Sequence, residues 1–195
     1  MPVIELHLIE GYDIDTKTRL GRALTDAVRG VIPADPDAVT VLTHEVSAAG
    51  YMRGGQPRTP APALPDPVTI VRHFLRAMEA RDLDRAASYL AEGFEMTFPG
   101  NVRMTRLDEL ITWSKPRYTR VVKTYTGFDT AMTEGNPVVF CRGTLAGEWP
   151  DGAPFDGIRF VDRFTLRAGK LWRQEVWNDM GEVRGGEVRG SEVQS

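Results

Sequence analysis

Two alternations divide the chain into elements. Near the start, Ile4, Leu6 and Leu8 alternate with Glu5 and His7, the period-two pattern of a half-buried strand. Residues 13–16 (Asp-Ile-Asp-Thr) then offer helix N-cap side chains. Leu20, Ala23, Leu24, Ala27, Val28 and Val31 recur at helical spacing, and Gly30 and Pro33 end the helix. A second strand is expected at 39–46, so the opening unit reads β-α-β, with parallel strands and a right-handed crossover.

Residues 56–67 hold five of the chain's 13 prolines and read as a semi-rigid extended linker. The first domain therefore covers 1–55, too few residues to bury an adequate core alone. One helix on two strands leaves a bare sheet face and an exposed edge, so the unit should self-associate.

After the linker, Val68, Val71, Phe74, Leu75 and Met78 mark one helix. Leu83, Ala86, Ala87 and Leu90 mark a second behind the cap Asp82. A short strand is expected at 94–98, and a helix through Leu107, Leu110 and Ile111 stops at Pro116. Strands follow at about 121–131, 136–147, 156–167 and 170–179, with turn signals between them. Helices first and strands afterwards make an α+β domain with a curved antiparallel sheet. Gly-Glu-Val-Arg-Gly occurs at 181–185 and again at 186–190 without apolar periodicity, which predicts disorder. The boundaries are 1–55, a linker at 56–65, a second domain at 66–180 and a tail at 181–195.

Composition narrows the function classes. The chain of 195 residues is 42% hydrophobic and 26% charged, ordinary for a soluble globular protein. A net charge of -3 lacks the basic face that a nucleic-acid partner needs. The one cysteine, Cys141, cannot form an internal disulfide and fits a reducing compartment. Beside Val139 and Phe140 it reads as a buried strand thiol. His7, His44 and His73 have no partner at metal-ligand spacing, and neither a metal nor another cofactor is expected. No apolar run approaches the ~20 residues of a membrane span, and the start lacks signal-peptide features, so a cytoplasmic location without a membrane partner is expected.

Two places carry candidate chemistry. If Met1 is removed, Pro2 becomes a secondary amine at the chain terminus. An α-amine has an ordinary pKa of roughly 7.7–8.0, which a dry or cationic pocket lowers towards neutrality, so it can act as a general base. On the strand at 156–167, Ile158, Phe160, Asp162, Phe164 and Leu166 share one face, which sets Asp162 in an apolar stripe. With Ala168-Gly169 as a two-residue hairpin loop, counting back sets Asp162 opposite Glu175. Two carboxylates that close in an apolar pocket would share a proton and form an acid/base pair. A cation such as Arg173, or a register one residue different, would leave them structural instead.

Residues 1–55 resemble the 4-oxalocrotonate tautomerase family. The β-α-β order, the length, Pro2, the run Leu-His-Leu-Ile-Glu-Gly at 6–11 and the ending Gly54-Gly55 carry the likeness. The resemblance implies Pro2 as the amine that moves a proton between carbon and a carbonyl or enol. It also implies assembly of several subunits. Where the family's oxalocrotonate-type members carry two substrate-binding arginines, this chain has Tyr12 and Thr40. Tyr51 matches the aromatic that keeps the proline site dry. Arg53 is either a grip for a substrate carboxylate or a solvated turn residue. The same amine could alternatively attack a carbonyl.

Residues 66–180 resemble the nuclear transport factor 2-like superfamily, near its SnoaL-like and ketosteroid-isomerase-like members. The element order carries this likeness, with Phe74-Leu75-Arg76-Ala77-Met78-Glu79-Ala80-Arg81-Asp82-Leu83-Asp84 and Asp162-Arg163-Phe164-Thr165-Leu166 before Gly169-Lys170-Leu171. It implies a cone around an apolar pocket, found in enzymes, binders and dimerisation modules alike. Asp162 matches the hydrogen-bond-donating acid of ketosteroid isomerase. That enzyme's tyrosine falls on Phe74 and its base on Phe98, so steroid isomerisation by that machinery is not expected. Trp113, Tyr118, Trp149 and Trp177 are pocket-lining candidates.

Two functions follow as expectations. In one, Pro2 works on a small substrate with Tyr12, Tyr51 and Arg53 around it, and the cone binds a small molecule. In the other, Asp162 and Glu175 carry the chemistry and the first domain only assembles subunits. A dimer, trimer or hexamer is compatible with either, and a trimer of dimers would satisfy both domains.

Overall fold

The computed structural model describes residues 1–184. Its chain divides into two compact units, the first Met1–Ala63 and the second starting at Leu64. Among the described residues no helix is long and apolar enough to cross a membrane.

In the first unit, strands β1 (Val3–Ile9) and β2 (Thr40–Val46) pair in parallel, with Val3 opposite Thr40 and Ile9 opposite Val46. Helix α1 (Ile14–Arg29) connects them. It starts where Asp13 Oδ1 accepts the Thr16 N–H at 2.7 Å, the cap that the sequence offered. Ile4, Leu6 and Leu8 are half-buried, whereas Val3, Glu5 and His7 are exposed. Lys17 pairs with Glu45 at 2.9 Å, and Glu45 lies opposite Leu8, so α1 covers the Leu8 face. The other face is uncovered: Val3 is 58% exposed and Leu42 42%, and the His7 and His44 rings stack at 4.9 Å. Val39 is the single buried hydrophobic that the described residues of this unit contribute. The short strands β3 (Met52–Arg53) and β4 (Gln56–Pro57) form a hairpin around Gly54 and Gly55, which take φ values of 61° and 73°. The chain therefore stays on the first unit past residue 55.

The second unit opens with α2 (Pro67–Glu79), where Asp66 accepts from Thr69 N at 2.9 Å and Pro67 fills the first turn. Helix α3 (Leu83–Ala87) is capped by Asp82. Helix α4 (Leu107–Ser114) begins where Glu109 accepts from the Arg106 N–H at 3.1 Å. The six strands are β5 (Leu90–Phe98), β6 (Val102–Met104), β7 (Arg120–Thr133), β8 (Asn136–Glu148), β9 (Pro154–Arg167) and β10 (Lys170–Asn178). They lie in the order β6-β5-β10-β9-β8-β7. All neighbours are antiparallel except β5 and β10, which run parallel, so the expected antiparallel sheet is mixed.

Two glycines on β8 lie hard against the β7 backbone. A Cβ on Gly143 would lie 1.9 Å from the Thr124 carbonyl oxygen, and one on Gly147 2.0 Å from that of Arg120. Only glycine permits this approach. The concave face closes over α2, whose Phe74 packs edge-on against Phe94 and Phe164 at 6.4 and 5.9 Å.

Two expectations need correction here. Residues 180–184 form a helical turn, with Val183 N donating to Asp179 O at 3.1 Å, so the tail is ordered at its start. The remainder of the expected tail, 185–195, lies outside the described residues. The β9–β10 hairpin turns at Ala168-Gly169 as expected, with φ values of 48° and 77°. Beyond Leu171, however, its register shifts at a bulge, and Trp172 has no partner on β9. Trp172 is held instead between the guanidiniums of Arg167 and Arg173, at 3.6 and 4.4 Å from its ring.

Candidate functional site

The bulge at Trp172 decides which side chains meet. Glu175 lies opposite Arg163 and forms an ion pair with it, while Val176 lies opposite Asp162. Asp162 and Glu175 therefore face opposite sides of the sheet, and the expected carboxylate pair does not exist. The same shift puts Trp177 on the outer face, 53% exposed, so it does not line the interior.

The apolar stripe on β9 is otherwise as read. Ile158, Phe160, Asp162, Phe164 and Leu166 are all buried, and Asp162 is 0% exposed. Its partner is a cation that sequence reasoning missed. Lys123, on β7, reaches past β8 to donate to Asp162 Oδ2, and its ammonium lies 4.4 Å from the centre of the Phe160 ring. Gly143, opposite both Tyr125 and Phe160, puts no side chain in the way. The signal was present in the alternation Val121-Lys123-Tyr125, which sets the lysine on an inward face. Among the described residues Asp162 Oδ1 has no hydrogen-bond partner. Burial pushes the Asp162 carboxyl above the ordinary carboxylate range, and the Lys123 charge pulls it part of the way back.

These groups line a cavity of about 810 Å³. Its walls include Phe98, Trp113, Tyr118, Val121, Trp149 and Phe160. Trp113, Tyr118 and Trp149 are three of the sequence's four aromatic candidates. Trp113 meets Phe98 edge-on at 5.2 Å, and among the described residues the buried Trp149 N–H has no partner. The size falls within the usual ~300–1,000 Å³ of small-molecule sites. A buried carboxyl with one oxygen on an ammonium and the other free can hold or release a proton beside a ligand. Cys141, opposite Asp162 on β8, is a poor nucleophile, because burial and then the Asp162 charge push its thiol up to about 12. Phe74 belongs to the core and Phe98 to the cavity wall, so neither position offers a tyrosine or a base.

In the first unit, Pro2 immediately precedes β1, and its carbonyl accepts from Thr40 N at 3.0 Å. Tyr12 donates its hydroxyl to Ala61 O at 2.9 Å, an engagement that ties it to the following chain. Tyr51 is half-buried and Arg53 is exposed on β3. Among the described residues no hydrogen bond joins Pro2 to Tyr12, Tyr51 or Arg53. Nor do the described residues gather three or more His, Cys, Asp or Glu side chains as a metal site.

Comparison with known proteins separates along the same two units. Residues 71–174 match the model of the SnoaL-like domain, and residues 2–59 match that of the tautomerase enzymes. A probable tautomerase of Ralstonia nicotianae is 36% identical over 61 residues, covering 31% of this chain and 87% of that protein. Among solved structures, an NTF2-like protein of unknown function from Burkholderia pseudomallei superposes with a TM-score of 0.53 at 18% identity. It covers 62% of this chain and 95% of its own. A Jannaschia protein assigned as a SnoaL-like polyketide cyclase gives 0.51 at 19% identity, covering 65% and 94%.

Proposed function

The chain belongs to the SnoaL-like domain family through residues 71–174 and to the tautomerase family through residues 2–59, and from that premise we propose that Pro2 is the base of a proton-transfer site. The two domains together point to isomerase-type chemistry. With Met1 removed, the Pro2 nitrogen takes a proton from an enol hydroxyl or from the carbon beside a carbonyl. It returns the proton to the other position, so keto and enol forms interconvert without net oxidation. The observation that carries this reading is that the tautomerase match begins at Pro2 itself. The Thr40 N–H on the Pro2 carbonyl supports it by fixing that residue at the head of β1. Tyr51 and Arg53 are the neighbouring candidates for drying the site and holding a substrate carboxylate.

Self-association belongs to the same proposal, because a second copy would cover the sheet face that carries Val3 and Leu42. Sedimentation that finds only monomer across micromolar concentrations removes this part. The test of Pro2 is intact mass together with turnover of small arylpyruvate enols. Retained Met1, or no conversion of any enol, refutes it.

A second reading is favoured by the cone's cavity. There Asp162, balanced by Lys123, would be the acid/base for a ring-bearing ligand, and the first unit would only assemble subunits. Abolition of turnover by Asp162→Asn, with Pro2→Ala unaffected, would select it.

A further inference from the structure

The lining of the cone's cavity is unbalanced in charge. Arg117, Lys123 and Arg184 line it, and Asp162 is the one carboxylate among the described lining residues. Lys123 is matched to that carboxylate. Among the described residues neither Arg117 nor Arg184 has an acidic partner within ion-pair distance.

Both guanidiniums are held on aromatic faces of the same cavity. Arg117 Cζ lies 3.9 Å from the Trp113 ring centre, and Arg184 Cζ lies 5.3 Å from that of Trp149. A guanidinium seated on an indole gives up none of its N–H donors to it, so the fork can still meet a carboxylate or sulfonate in bidentate fashion. The partnerless N–H of buried Trp149 adds a donor on the same wall. Elsewhere the wall is mainly apolar and aromatic, suited to a ring system.

We propose that this cavity selects amphipathic anions, an apolar ring-bearing body with one carboxylate-like or sulfonate-like group, and that Arg117 and Arg184 read the charge. The inference rests on the cavity being a ligand site, as the reading of the cone above requires. Lys123 is excluded from this role because an anion on it would displace Asp162, whereas the two arginines hold no carboxylate among the described residues.

The test compares two dyes with the same ring skeleton, 1-anilinonaphthalene-8-sulfonate and the neutral N-phenyl-1-naphthylamine, on the full chain by fluorescence titration. The expected result is roughly tenfold tighter binding of the sulfonate, as a charge-assisted contact provides. The Arg117→Gln/Arg184→Gln variant should lose that preference, and Arg117→Lys/Arg184→Lys should restore part of it. Unchanged circular dichroism would confirm that the variants fold. Equal affinity of the two dyes overturns the inference and leaves the cavity reading standing. A sulfonate preference that survives the double glutamine variant also overturns it, because the charge is then read elsewhere. Failure of both dyes to bind overturns the cavity reading and this inference together.

Discussion

Lys123 and Asp162, 39 positions apart in sequence, form an ion pair across β8 in which the carboxylate is fully buried and the ammonium only partly so. The pair is asymmetric in consequence. Lys123→Met strands a charge in an apolar wall, whereas Asp162→Asn leaves a lysine that can turn to solvent. Breaking a buried pair from the wrong side costs about 3–5 kcal/mol, so Lys123→Met should be the more destabilising change near neutral pH. Equal losses in urea unfolding would contradict this asymmetry.

The same carboxyl makes stability depend on pH with a definite sign. Burial holds the folded Asp162 above its ordinary 3.8, so just above that value the folded chain keeps a proton that the unfolded chain has released. Its contribution is complete below about pH 3.8 and is lost as pH rises through the raised value. The unfolding free energy of the wild type relative to Asp162→Asn should therefore fall as pH rises from about 3.8 through the raised folded value and level off above it. A flat or rising difference contradicts the assignment.

Cys141 is buried with its thiol pushed up to about 12, so it should not react with a disulfide reagent in the native protein at mildly alkaline pH. One equivalent should react after denaturation. Rapid native reaction would mean that the β8–β9 wall opens.

Two glycine substitutions should differ in sign. Gly143→Ala drives a methyl into the Thr124 carbonyl oxygen and should cost roughly 3 kcal/mol or more, as severe overpacking does. At Gly21, within α1, an added Cβ meets nothing within 4 Å, and Gly21→Ala should stabilise by up to about 1 kcal/mol through helix propensity. Thermal midpoints of the two variants check both.

What was legible in the chain was local. Alternation placed β1 and the inward stripe of β9, and turn residues placed the Ala168-Gly169 hairpin. The partner of Asp162 was not legible, because Trp172 bulges out and moves every later residue of β10 by one position. At that bulge two guanidiniums lie over the indole, a contact that alternation does not encode. Lys123 was missed because a charged residue on an amphipathic strand reads as outward unless its partner is known. Arg184 stacks on Trp149 from well beyond β10, a contact that alternation does not encode, and Arg117 lies one helical turn after Trp113 but just past the end of α4, where no periodicity marks it as a cavity residue. Pro2 is proposed from its position and the β-α-β pattern after it, and the test of that proposal is chemical.

The register carries its own functional test. Glu175 pairs with Arg163 on the outer face, so Glu175→Gln should cost no more than about 1 kcal/mol and should leave ligand binding in the cone unchanged. Asp162→Asn should alter that binding. A loss of dye binding on Glu175→Gln would restore the carboxylate pair that the bulge excludes.

The central claim concerns Pro2. Its most direct test is the rate of ketonisation of a small enol, such as phenylenolpyruvate, by protein whose intact mass shows Met1 removed, for the wild type, Pro2→Ala and Asp162→Asn. Pro2→Ala should lose roughly a hundredfold or more in kcat/KM, the usual worth of a positioned base, and Asp162→Asn should change it little. Full activity in Pro2→Ala would contradict that claim.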